Sequence, residues 1–392
     1  MFFKMRRFRS CSVFAAILLF FSSLWMSCEK ESIVPEKHVS LRTVIVFMPW
    51  STNMKPYFDD NIISWQKSIS EGILHDEHVI VCISTSSTKA LLIELKQQGG
   101  ECLRDTLCRI EYADFTKTEN ITRMLVDVSR DFPAMHYGLV VGGHGMAWIP
   151  SSSDAKRAPY HSGYGERPLT RWFGGLTPDS QIEISSFAEG IRMAGLHMDY
   201  ILFDDCFMSS VEVAYELRKV TDYLVACPSE IMIVGFPYHL CAKYLVGNVD
   251  YRQLCETFLN FYQSYTVSCG TAAVTDCRAL DRLASSVRNI HLNGLISKVD
   301  TASIQQMDGY FPPLFYDFGD AYDKMCTDSA ALADLHDCLE RAVPYKVHTP
   351  YYYSANGGIY MIRCFSGLTT SEFSKNYLAS EHATTLWYRD SH

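Results

Sequence analysis

Two apolar runs about sixty residues apart constrain this 392-residue chain more than any other feature. Tyr137-Gly138-Leu139-Val140-Val141-Gly142-Gly143 leads into His144 and Gly145, and Tyr200-Ile201-Leu202-Phe203-Asp204-Asp205 leads into Cys206. A short continuous apolar run reads as a strand buried on both faces, which is the habit of parallel sheets. Open parallel sheets gather their C-terminal tips along one edge, where ligands bind. The pattern therefore predicts an imidazole and a thiol at one sheet edge, the minimum parts of a cysteine nucleophile with its base.

The rest of the chain alternates in the same way. Thr43–Met48, His78–Ile83 and Tyr223–Cys227 read as further strands, and Ala90–Leu95 with Cys102–Ile110 as a smaller strand pair. Helical spacing occupies Asp59–Ile73 and Asn120–Phe132, with a capping box opening a helix at Ser186 and another helix over Met208–Lys219. Strands alternating with helices predict an α/β fold, a three-layer α/β/α sandwich around a mostly parallel sheet. The sheet core is expected within about 41–240 and 350–365, the latter a late strand or hairpin around Asn356-Gly357-Gly358, with a largely helical region over about 250–345. Residues 149–181 have no apolar period and read as a long exposed loop.

At the start, Lys4, Arg6, Arg7 and Arg9 precede an apolar stretch, Val13–Trp25, too short for a comfortable membrane span. Residues 1–27 thus predict a secretory signal peptide. The stretch ends in Leu24-Trp25-Met26-Ser27-Cys28, which resembles a bacterial lipobox and makes Cys28 a candidate for lipid attachment, with residues 28–40 as a tether. The expected location is the cell envelope, anchored to the membrane through Cys28. Removing residues 1–27 takes away four basic and no acidic residues, so the charge moves from −9 to −13. A surface this acidic repels phosphate backbones and excludes a nucleic-acid role, while it tolerates cationic substrates. Among the 14 cysteines, Cys102 with Cys108 or Cys326 with Cys338 could form local disulfides. No CxxC pair occurs, His75-Asp76-Glu77-His78 lacks the HExxH spacing, and no metal site is expected.

The chemistry has a physical account at each strand tip. His144 can take the thiol proton and later protonate a leaving amine. Gly145 lets backbone approach closely, so its N–H, with that of Cys206, can face a developing oxyanion. A helix starting soon after Cys206 is expected to lower the thiol pKa. Asp204 and Asp205 are costly as core residues, and a carboxylate facing a pocket is the cheaper arrangement.

Gly142-Gly143-His144-Gly145-Met146-Ala147-Trp148 is similar to the His-Gly segment of clostripain-family (C11) cysteine peptidases. Phe203-Asp204-Asp205-Cys206-Phe207-Met208-Ser209-Ser210-Val211 resembles that family's Asp-x-Cys-x-Met segment and the helix after it. The likeness runs over roughly residues 41–390 and takes in Ser229-Glu230. It implies a caspase-like fold, a Cys206/His144 dyad, cleavage of peptides after Arg or Lys, and a substrate-binding role for Asp204, with Asp205, Ser229 and Glu230 beside it. It implies no required cofactor, although some members use calcium. Two departures stand out: Asp205 replaces a small residue, and Ile231-Met232-Ile233-Val234 replaces a polar or acidic stretch. The 149–181 loop carries Lys156-Arg157, a candidate self-processing site, since several relatives cut themselves there. The competing reading is an inactive relative serving as a binding or adhesion module.

Overall fold

The computed structural model describes residues 37–49, 53–150, 173–175 and 180–392, and every element below lies in the compact unit Val39–His392. Nine strands form one sheet: β1 (Ser40–Met48), β2 (Glu77–Ser84), β3 (Ala90–Gln98), β4 (Glu101–Ile110), β5 (Ala134–Gly142), β6 (Met198–Asp204), β7 (Thr221–Ala226), β8 (Thr271–Asp276) and β9 (Tyr345–His348). Their spatial order is β9-β8-β7-β6-β5-β1-β2-β3-β4. The five central strands, β7-β6-β5-β1-β2, are parallel, and an antiparallel pair closes each side.

Strand period decides which side chains go where. Val44, Val46 and Met48 enter one core, and Ile45 and Phe47 enter the other. Both faces of β1 are buried, which is why it reads as an unbroken apolar run. On the first face lie α1 (Lys55–Ser70), through Phe58, Ile62, Trp65 and Ile69, and the later helix Tyr251–Ser264. On the second lie α2 (Thr118–Asp131), α3 (Ile184–Met193), α4 (Val211–Leu217) and the helix Leu280–Leu292. The result is a mixed α/β sandwich with a large, mostly parallel central sheet, as the alternation predicts.

Four details differ from the sequence reading. β8 lies inside the stretch read as helical, because its six residues, mostly small, carry little pattern of their own. Tyr351–Ser354 and Gly358–Met361 do form a hairpin, but as a separate two-stranded sheet. α3 starts at Ile184, so Ser186 lies inside it and caps nothing. Cys102 and Cys108 share the extended strand β4, and six residues of strand span roughly 20 Å, beyond disulfide reach. Those two, Cys326 and Cys338 are free, as are all twelve cysteines of the described residues. No helix among the described residues is long and apolar enough to cross a membrane.

Gly138 of β5 faces Tyr200 of β6 in register, and a Cβ there would lie 2.3 Å from the Tyr200 ring. That ring is fully buried and donates its hydroxyl to the Leu245 carbonyl at 2.8 Å. Gly138→Ala should therefore lower stability by about 1–3 kcal/mol, the usual cost of overpacking a core. Urea denaturation checks this, and an unchanged midpoint would contradict the close packing of the two strands.

Candidate active site

Register builds the site. β5 and β6 pair in parallel with Gly142 opposite Asp204, so the residues leaving the two strands run on side by side. The Gly143 N–H donates to the Asp205 carboxylate and latches the two tips together. A Cβ on Gly145 would sit 2.2 Å from the Cys206 carbonyl oxygen, so the His-Gly turn rests directly on the backbone of the cysteine turn. His144 is held further by a pair of 3.0 Å backbone hydrogen bonds with Gly174. Ala147 (φ 53°) and Phe207 (φ 64°) adopt the left-handed conformation, one in each turn. Strain of this kind persists only where surroundings enforce it. Phe207 is fully buried, its N–H donates to the Ser229 carbonyl at 3.1 Å, and its ring stacks on Phe315.

His144, Cys206, Asp204 and Glu230 all line one cavity of about 370 Å³. Burial pulls the His144 imidazole down to about 4, so it is neutral at physiological pH. Its Nε2 lies 3.1 Å from Asn53 Oδ1, an acceptor that pairs with the Nε2–H tautomer, in which Nδ1 carries no proton. Although Cys206 is partly open to the cleft, its thiol is walled by protein, and burial, then the Glu230, Asp205 and Asp204 carboxylates, push it well above the ordinary thiol range. The helix effect expected from the sequence does not offset this. α4 starts only at Val211, and a first-turn N–H, that of Val213, is already accepted by Ser210 Oγ. The resting pair is a neutral thiol and a neutral imidazole. Among the described residues, neither the Gly145 nor the Cys206 N–H donates to a protein acceptor.

The acidic residues take different places. Asp204 lines the cavity and accepts from Phe236 N–H (2.9 Å), the Tyr238 hydroxyl (2.8 Å) and, at 3.4 Å, the Asn61 amide. Burial raises it to about 6, which leaves it largely ionised at neutral pH. The chain bends around it at Gly235 (φ 64°), where a Cβ would fall 2.4 Å from the carboxylate. Asp205 faces Gly143 instead of the cavity, and burial with the Asp204 charge raises it well above the carboxylate range. Glu230 is buried and accepts from Ser354 Oγ and the Ala355 N–H. Ser229 turns away, its hydroxyl 2.7 Å from Thr271 Oγ1, and does not line the cavity. Met54, Phe58, Ile231, Met232, Ile233 and Val267 supply apolar lining. Lys156, Arg157 and Cys28 lie outside the described residues.

Asn53, Asn61 and Tyr238 escaped the sequence reading. Asn53 and Asn61 follow the C-terminal tip of β1, the neighbour of β5, and the rule that ligands bind at such tips was the available signal.

Residues 46–356 match the model of the clostripain family, Peptidase_C11. A solved secreted C11 cysteine protease from Bacteroides thetaiotaomicron, iotapain, is 42% identical over 91% of this chain and 100% of its own, with a TM-score of 0.84. A clostripain from the same species, in complex with the peptide inhibitor BTN-VLTK-AOMK, is 46% identical over 56% of this chain and 99% of its own, with a TM-score of 0.55. An inactive zymogen C11 protease from Parabacteroides distasonis is 25% identical over 91% of this chain and 100% of its own, with a TM-score of 0.75. No curated protein matches the chain. This chain belongs to the clostripain family and is a cysteine-type peptidase.

The buried imidazole makes a pH prediction. His144 has its folded pKa at about 4 against an ordinary 6.5, so the unfolded chain binds more protons between these values. Its contribution to stability is full above 6.5 and is lost as pH falls toward 4, by about 3 kcal/mol at 1.36 kcal/mol per unit. Asp204, raised from 3.8 to about 6, slopes the opposite way, losing stability as pH rises through that window. The difference between wild type and His144→Gln isolates the histidine. The wild type should lose more stability than the variant between pH 6.5 and 4 in denaturant titrations, and parallel curves would rule out a buried neutral imidazole.

Proposed function

We propose that the protein is a cysteine endopeptidase in which Cys206 is the nucleophile and His144 the acid and base. The observation that carries this is the contact of two strand-tip turns that sets His144 and Cys206 in one cavity. As Sγ attacks the scissile carbonyl carbon, its proton passes to bare Nδ1 of His144. The carbonyl oxygen becomes an oxyanion facing the Gly145 and Cys206 N–H groups. The imidazolium then protonates the leaving amine and a thioester forms. Water, deprotonated by the same nitrogen, releases the acid and restores the thiol. These steps need no metal or cofactor.

We place a basic P1 side chain in the cavity. Ile231, Met232, Ile233 and Val267 suit the methylene stem of Arg or Lys, and the ionised Asp204, with Glu230 nearby, suits its charged end. Asp205 latches the turns, and Ser229 acts through its backbone. The inhibitor in the related clostripain, with K of VLTK next to AOMK, supports the same preference. Self-cleavage after Lys156 or Arg157 belongs to this reading. A relative that exists as an inactive zymogen supports a maturation step, as does a related clostripain chain that matches only 56% of this one. Export with residues 1–27 as signal and lipid attachment at Cys28 complete it, and iotapain's description as secreted supports the export.

Fluorogenic peptides with Arg, Lys, Ala, Leu or Asp at P1 test the proposal. Arg or Lys substrates should be cut, with kcat/KM at least a thousandfold lower in Cys206→Ala and in His144→Ala. Asp204→Asn should cost about 10- to 100-fold on basic substrates, the worth of a lost charged hydrogen bond. Preference for Leu or Ala would discard the basic pocket and keep the dyad. No hydrolysis at all, even after trypsin has cut the loop, would leave a binding module. For self-cleavage, intact mass should show two fragments in wild type and one chain in Cys206→Ala; a wild-type chain that is active and uncut would refute it.

A further inference from the structure

Away from the cleft, three side chains from separate segments converge. His291 is in the last turn of the helix Leu280–Leu292, Glu372 follows the short strand Thr369–Thr370, and His392 follows the helix Leu386–Ser391. Both imidazoles present Nε2 to the same Glu372 oxygen, His291 at 3.0 Å and His392 at 3.2 Å, and the three atoms lie within 4.8 Å of one another. A tetrahedral ion with bonds of about 2.0–2.1 Å holds its ligand atoms roughly 3.3 Å apart. The two His-to-Glu separations thus match tetrahedral edges. The rings lie against each other, centroids 3.8 Å apart, with both Nε2 atoms directed at one oxygen. His291 Nε2 also lies 3.2 Å from the Tyr322 hydroxyl oxygen, so Glu372 and Tyr322 together surround it; as ligands the two imidazoles and the carboxylate turn two lone pairs and an oxygen toward one cation.

The surroundings hold that arrangement. The other Glu372 oxygen accepts from the Tyr322 hydroxyl at 2.7 Å, so Oε1 is the one turned to both imidazoles. His392 Nδ1 is 3.1 Å from Ser391 Oγ, and the far face of its ring stacks on Tyr388 at 3.9 Å. Partners that fix carboxylate and ring orientation are what metal ligands require. Each residue is partly buried, with Glu372 only 6% exposed at its side chain.

We infer that His291, Glu372 and His392 bind one divalent transition-metal ion of the zinc type, clipping the helix Leu386–Ser391 to the helix Leu280–Leu292. Two imidazoles and one carboxylate suit zinc over calcium or magnesium, which prefer oxygen. None of the three lines the substrate cavity, so the ion is a structural clip and takes no part in the dyad's chemistry. The Leu386–Ser391 helix buries Trp387 against Tyr215 of α4 and Phe318, so the clip secures the layer behind the nucleophile's turn.

The test uses the full chain without a polyhistidine tag, stripped with EDTA and titrated with zinc chloride by calorimetry. One equivalent should bind and raise the thermal midpoint by several degrees. Glu372→Gln and His392→Gln should each weaken binding at least tenfold and abolish the rise, with far-UV circular dichroism reporting that the variants fold. Should Glu372→Gln not fold, His392→Gln alone decides. Cobalt(II) should give tetrahedral visible bands without thiolate charge transfer. No zinc binding would overturn the inference. Binding unchanged in the variants, or a thiolate band, would also overturn it and put the metal on the free cysteines.

Discussion

The contact between the turns leaving β5 and β6 is what the active site depends on. Parallel pairing in register brings His144 and Cys206 level with each other. The Gly143–Asp205 hydrogen bond and the seat of Gly145 on the Cys206 carbonyl then remove the freedom to drift apart. The seat of Gly145 is backbone against backbone, which is stiffer than side chain held by side chain because fewer rotors must be frozen. Even Asp205, an unexpected residue beside Cys206, has its reason here: it fastens the two turns, and burial keeps it well above the ordinary carboxylate range.

The electrostatics follow from burial more than from pairing. Desolvation is the largest influence on His144, Cys206, Asp204 and Glu230 alike, and in each it favours the neutral form. At rest the thiol and the imidazole lining the cavity are both neutral. Hydrogen bonds offset part of that penalty for Asp204, from Tyr238 and Phe236, and for Glu230, from Ser354 and Ala355; Asp204, raised to about 6, stays largely charged near neutrality. Fixed donors around Asp204 and a largely apolar remainder of the lining give the cavity both polar and apolar surface.

The clustering of His291, Glu372 and His392 is of another kind. It draws on segments about eighty and twenty residues apart, and it lies in a part of the chain where no apolar run announces function. Single His and Glu residues at such separations carry no motif, so only packing could have brought them into view.

The chain by itself determined the parallel strands at the middle of the sheet and put His144 and Cys206 at two of their tips. Long apolar runs such as 43–48 and 200–203 can be buried on both faces in only a few ways, and a histidine and a cysteine at the ends of two such runs must share an edge once the strands are parallel. Tertiary structure alone decided what touches what. It recruited Asn53, Asn61 and Tyr238, turned Ser229 away from the cavity, moved the start of α4 to Val211, and kept Cys102 and Cys108 apart on one extended strand. Periodicity reports the face on which a residue lies; contacts between segments far apart in sequence depend on packing that no local pattern encodes.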